Sequence, residues 1–313
     1  MTTRKLVDPE LLPLLDAFPT VTITNENLQQ LRGRALPLPP VEDCGVGWEE
    51  RLIEGAEKPI LVRIYRPRAA TGAIGCIFHI HGGGFVGGSV AEVEFLHRPL
   101  ASQLGCAIVT VDYRLAPETK FPGNLEDCYA ALGWTFAHAL ELQIDPDRVG
   151  VMGESAGGGL AAALSLLVRD RGEYRLAFQH LIYPMLDDRT CTREQNPNAG
   201  EFIWPADNNA FGWRALLGEE PGGPDVSPYA APARAAELSG LPAAFIGTGA
   251  LDLFVDENID FATRLIRSGV PTELHVWPGG FHGFDLLPGA RIADAARRTS
   301  VEALARSLEP RNA

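Results

Sequence analysis

The chain has 313 residues, 46% of them hydrophobic, and a formal net charge of −13 with an isoelectric point near 5.0. A chain of this length and apolar content can bury one large core, and its acidity argues against nucleic-acid or anionic-membrane partners. It contains no run of 18 apolar residues, no Cys-x-x-Cys pair and no apolar leader near Met1, so a cytoplasmic protein without a membrane span is expected.

In chain order, residues 8–18 come first: Asp8 can cap a helix, Pro9 suits its first position, and the leucines that follow form an apolar stripe in need of a surface. Strands are expected near 45–54, 59–66, 74–80, 106–112, 147–153, 176–183, 242–248 and 272–277. Helices near 91–104, 124–140, 156–171, 255–269 and 290–308 alternate with them. That rhythm predicts an α/β fold with an eight-stranded, mostly parallel sheet flanked by helices. The span from about 187 to 224 stands outside it and carries Phe202, Trp204, Phe211 and Trp213. The five cysteines, Cys44, Cys76, Cys106, Cys128 and Cys191, are scattered and read as small buried residues in a reducing compartment.

Chemistry concentrates where expected strands end. Gly153-Glu154-Ser155-Ala156-Gly157 lies between an apolar strand and an apolar helix, the setting in which a sharp turn presents a serine as nucleophile. Glu154 should point away from Ser155 and serve as a structural hydrogen-bonding group. Upstream, His81-Gly82-Gly83-Gly84-Phe85 follows the strand at 74–80 and leaves backbone N–H groups uncovered. The N–H groups of Gly83, Gly84 and Ala156 are therefore the expected donors to a developing oxyanion.

A nucleophilic serine needs a base oriented by a carboxylate, in the chain order Ser, Asp or Glu, His. His180 is inside an apolar run and His275 is mid-strand, whereas His282 lies in the glycine-rich loop 278–284 and is expected to be the base. Asp252, just past the strand at 242–248, is the expected orienting acid; Asp256 falls in the first turn of the next helix, where the macrodipole stabilises any acid. No histidine pair or His/Asp/Glu set has ligand spacing, and the glycine run 82–88 lacks the Lys-Ser/Thr of a phosphate loop. Neither a metal nor a cofactor is expected.

Taken together, His81-Gly82-Gly83-Gly84-Phe85, Tyr113-Arg114-Leu115-Ala116-Pro117-Glu118, Gly153-Glu154-Ser155-Ala156-Gly157-Gly158, Ser227-Pro228, the Asp252 loop and the His282 loop resemble the hormone-sensitive-lipase family of serine esterases within the α/β-hydrolase fold. The resemblance spans nearly the whole chain. It implies a triad of Ser155, Asp252 and His282 and an oxyanion hole of Gly83, Gly84 and Ala156, as position alone does. The acid loop, Asp252-Leu253-Phe254-Val255-Asp256-Glu257, departs from the family's Asp-Pro-Leu-x-Asp-Glu. A small helical cap is also implied, from residues 1–40 and 188–224, over a catalytic domain of residues 41–187 and 225–313. Phe85, Val86 and the cap aromatics Phe202, Trp204, Phe211 and Trp213 would line an apolar pocket. The expected activity is hydrolysis of short- to medium-chain carboxylic esters with an apolar acyl or alcohol group, by an acyl-enzyme. An amidase or peptidase on the same triad is the enzymatic alternative. A silent ligand-binding protein, like the plant gibberellin receptors that resemble this family, would lack a triad member, and here all three positions are filled.

Overall fold

The seven residues Ile74–Ile80 form a strand that is buried from Gly75 onward, and a strand without a solvent face needs cover on both sides. The computed structural model, which describes residues 2–34, 40–286 and 288–310, provides that cover. Its strands are β1 (Val46–Ile53), β2 (Ile60–Pro67), β3 (Ile74–Ile80), β4 (Ala107–Asp112), β5 (Ile144–Glu154), β6 (Phe178–Ile182), β7 (Ala243–Gly249) and β8 (Thr272–Trp277). They form one sheet in the order β1-β2-β4-β3-β5-β6-β7-β8. β2 runs antiparallel to β1 and β4, and all other neighbours are parallel.

Helices α4 (Gly123–Ala137), α5 (Ala156–Arg171) and α7 (Val255–Arg267) cover one face, and α3 (Glu94–Leu104) and α8 (Arg291–Leu308) the other. α5 is buried without interruption from Ala156 to Val168, as its all-round apolar sequence requires. Left-handed Gly172, whose N–H bonds the Val168 carbonyl, ends it. Each fully buried Leu, Ile or Phe in these layers contributes about 1.5–3 kcal/mol.

The two segments outside the alternation pack on each other. Asp8 accepts from the Glu10 N–H at the start of a short turn that leads into α1 (Leu12–Ala17). Val7, Leu11 and Leu15 then bury against Phe202, Leu251, Phe281 and Phe284. Next, α2 (Leu28–Arg32) seats Leu28 against Val86, Ala116 and Ala215, the last from α6 (Ala206–Leu217). The Asn208 side chain ties the layers together, accepting from Ile23 N–H at 2.9 Å and donating to Val21 C=O at 2.8 Å. Buried Glu257 and Asp188 bracket the second segment: Glu257 accepts from Leu186 and Asp187 N–H and from the Thr190 hydroxyl, and Asp188 accepts from Gly222 N–H and Arg234. The expected boundary at residues 40–41 adjoins 35–39, which lie outside the described residues.

Candidate active site

Strand register brings the candidate residues together. Ile80 pairs with Gly153, so the glycine loop after β3 emerges beside the turn after β5. Gly249 pairs with Trp277, and Leu251 N–H bonds Gly280 C=O at 2.9 Å, which sets the Asp252 loop against the His282 loop. All four loops lie at the carboxyl ends of parallel strands, where open α/β sheets bind ligands.

Ser155 has φ 56° and ψ −122°, a conformation that persists only when its surroundings over-determine it. Here its N–H bonds Ile182 C=O at 2.9 Å, and its C=O accepts from Gly159 and Met185, each at 3.0 Å. Tight packing of the turn on β3 leaves no space for a Cβ at Gly157, where one would meet the Ile80 and His81 backbone. Ser155 Oγ is 2.9 Å from His282 Nε2, and His282 Nδ1 is 2.9 Å from Asp252 Oδ2. With Nδ1–H donated to the carboxylate, Nε2 carries the lone pair that faces the serine hydroxyl. The other Asp252 oxygen accepts from Phe254 N–H at 2.9 Å. Asp252 is fully buried and Ser155 and His282 nearly so. Asp256 instead sits in the first turn of α7 and accepts a long 3.4 Å bond from Asn196.

The glycine loop turns back on itself: Gly83 C=O accepts from Val86 N–H at 3.1 Å and Gly87 N–H at 2.9 Å. Gly83, Gly84 and Phe85 are consecutive left-handed residues, with φ 116°, 61° and 67°. Runs of this kind point successive N–H groups into a concavity suited to an anion. Among the described residues, the N–H groups of Gly83, Gly84 and Ala156 donate to no hydrogen bond.

The aromatics separate into distinct positions. The Trp204 ring lies on Gly84, where a Cβ would run into it, and its centroid is 6.4 Å from that of His282. Trp213 is fully buried and meets Phe85 edge-on at 5.3 Å. Phe202 packs on Phe281 at 6.1 Å in the cluster that receives the N-terminal turns, and Phe211 packs near Leu28 and Val86. Two contacts have no sequence signal: Tyr183 and Phe254 meet the His282 ring edge-on at 4.7 and 5.4 Å.

The profile of the α/β-hydrolase fold family matches residues 77–286. A solved structure titled bacterial heroin esterase superposes with a TM-score of 0.91 at 39% identity, covering 99% of this chain and 100% of that one. Carboxylesterase NlhH of Mycobacterium tuberculosis is 34% identical over 90% of this chain and 89% of its own. An arylesterase of Saccharolobus solfataricus is 32% identical over 89% and 92%. The chain belongs to the hormone-sensitive-lipase-like α/β-hydrolases.

In this hydrolase the nucleophile turn rests on a buried polar pair. Glu154 Oε2 is 2.8 Å from His79 Nε2, and His79 Nδ1 is 3.0 Å from Thr110 Oγ1 on the neighbouring strand. Burial pushes the Glu154 carboxyl up to about 7 and pulls the His79 imidazole down to about 3. Near neutrality His79 is therefore uncharged and Glu154 is close to its midpoint, and the Thr110 hydroxyl can donate or accept to match either tautomer of His79. Burial also lowers His97 and His81, so both remain uncharged next to the pair. His81 stacks on Tyr113 at 4.3 Å, and the Tyr113 hydroxyl donates to His81 C=O at 3.0 Å, which fixes the entry to the glycine loop. Among the described residues of the hydrolase, no group of three or more His, Cys, Asp or Glu side chains is arranged to hold a metal ion. No described helix is long and apolar enough to cross a membrane.

Proposed function

We propose that the hydrolase works by two-step acyl transfer, with Ser155 as nucleophile, His282 as general base and acid, and Asp252 as the orienting carboxylate. The chain is a carboxylic ester hydrolase, like its relatives at 32–39% identity. The mechanistic reading rests on the unbroken chain of two 2.9 Å contacts from Ser155 through His282 to Asp252. Nε2 takes the serine proton as Oγ attacks the ester carbonyl, and Asp252 stabilises the imidazolium that forms. The N–H groups of Gly83, Gly84 and Ala156 receive the oxyanion. Each such donor contributes about 10²–10³ in turnover. Protonated His282 then delivers its proton to the leaving alkoxide, and the alcohol departs. Water attacks the acyl-enzyme by the same route and releases the acid.

The two segments outside the alternation would form the cap, with Trp204 as the wall of an apolar acyl site above Gly84. Phe85 and Trp213 would back that wall, and Phe202 and Phe211 would hold the cap to the catalytic domain. The substrate would be a short- to medium-chain ester with an apolar acyl or alcohol group. A cytoplasmic setting suits five free cysteines, three of them buried.

Ser155→Ala should lower p-nitrophenyl ester turnover by about 10⁶ with the circular dichroism spectrum unchanged, and an alkyl phosphonate should label Ser155 alone. An adduct on another serine would overturn the assignment. An anilide run beside the ester panel separates the two reaction classes: faster anilide cleavage would make the amidase the better reading.

A further inference from the structure

The glycine loop places three successive residues in the left-handed region, and one of them, Phe85, has a Cβ. Such a loop keeps its shape only if its surroundings over-determine it. Phe85 C=O accepts from Ala116 N–H at 2.9 Å. Val86 C=O is taken by a side chain distant in sequence: Arg32 Nε donates to it at 2.6 Å. The same guanidinium donates through Nη2 to Ala116 C=O at 2.6 Å, and through Nη1 and Nη2 to the two Glu118 oxygens at 2.8 and 2.9 Å. Gln29 Nε2 adds a 3.0 Å bond to Glu118. The planar fork thus spans both chain segments that border the loop, a geometry that lysine cannot reproduce. Beneath it Leu28 packs on Val86 and Ala116. Arg32 is mostly buried, and its hydrogen bonds hold the Glu118 carboxyl down to about 2, so Glu118 stays a carboxylate near neutrality.

We propose that Arg32 is a positioning residue for ester hydrolysis: it clamps the Val86 and Ala116 carbonyls and so makes the shape of the oxyanion loop depend on seating of the N-terminal segment. This rests on Gly83 and Gly84 as oxyanion donors. Arg32 touches no reacting atom. It acts on the transition state, where the oxyanion exists, and not on the bound ester.

Arg32→Ala should therefore lower kcat about ten- to a hundredfold, in the range expected when catalytic donors are displaced by an ångström or lose their aim. The loss should be the same for p-nitrophenyl acetate, butyrate and octanoate, with KM within about threefold of wild type. A trifluoromethyl ketone, whose hydrate-like adduct with Ser155 presents an oxyanion, should bind more weakly by a similar factor, and the matching methyl ketone should not. Added methylguanidinium should restore part of kcat. If Arg32→Ala fails to fold, Arg32→Lys keeps the charge without the two-carbonyl span and should show a smaller fall of the same length-independent kind. A kcat unchanged despite a lower Tm, or a loss confined to KM or to one chain length, would overturn the proposal and leave Arg32 as packing or as a pocket wall. Failure of the underlying site would look different: turnover surviving in Ser155→Ala, or a phosphonate adduct elsewhere.

Discussion

Replacing Glu154 by Gln tests whether the nucleophile turn is built on a carboxyl that prefers its proton. Burial holds that group near 7, against 4.5 for the free side chain. A native value above the unfolded one means that the folded chain keeps a proton the unfolded chain releases. The associated stability is complete below about pH 4.5 and is lost as pH rises through about 7. A gap that wide corresponds to on the order of 3 kcal/mol. His79 works in the opposite direction, because its native value of about 3 lies below the free 6.5; its stability is present above about pH 6.5 and fades on acidification. Gln removes the first dependence and retains the second, since its amide can still bond His79 Nε2. The useful quantity is therefore the difference in urea unfolding free energy between Glu154→Gln and wild type, measured at intervals from pH 5 to 8. It should move in favour of the variant by about 2–3 kcal/mol over that range and then level off. A difference that stays flat would show that Glu154 is ionised throughout in both states, and that burial does not raise the carboxyl beneath Ser155.

Three further outcomes are expected. Asp252→Asn should cut turnover about 10⁴-fold while Asp256→Asn stays within about twofold, because only Asp252 bonds His282; initial rates on p-nitrophenyl butyrate decide it, and the reverse order would transfer the orienting role. Trp204→Ala should shift the preferred acyl length upward, each added methylene being worth about 0.8 kcal/mol until the enlarged pocket ends; an unchanged length profile would place acyl selection elsewhere. Trp213→Ala, emptying a fully buried site, should lower unfolding free energy by about 3–5 kcal/mol, readable as a fall in Tm.

Most of the architecture is legible in the sequence because its central parallel strands are buried on both faces and its helices, α5 excepted, are buried on one. All eight expected strands occur, and the large helices differ by a few residues at their ends. β5 starts at Ile144 instead of 147 because Ile74 pairs with Ile144 ahead of a register shift, and hydrophobic runs carry no such irregularity. α3 starts at Glu94, since residues 90–93 are in turns although their composition is compatible with helix. The candidate site was legible where local chemistry marks it: a tight turn, a glycine run, a loop histidine. What remained hidden are partners set by the sheet register and by packing over long separations. The spacing of His79 and Glu154 says nothing of their contact, which arises because His79 pairs with Met152 and the two side chains then meet over the strand ends. Tyr183 and Phe254 against His282, and Arg32 against Val86, are likewise contacts between chain segments that no period relates.

The mutual packing of the two outer segments also dictates an order of events during synthesis. Residues 2–34 leave the ribosome before any of the surfaces they dock on: Asn208, Phe202, Leu251, Phe281 and the backbone of Gly279 come far later in the chain. Val7, Leu11 and Leu15, buried in the finished protein against Phe202, Leu251, Phe281 and Phe284, thus lack their partners until most of the chain has been translated. Such surfaces make long-lived nascent chains prone to association. Docking of this segment onto Phe202, Leu251 and Phe281 therefore waits for chain that is synthesised long after it.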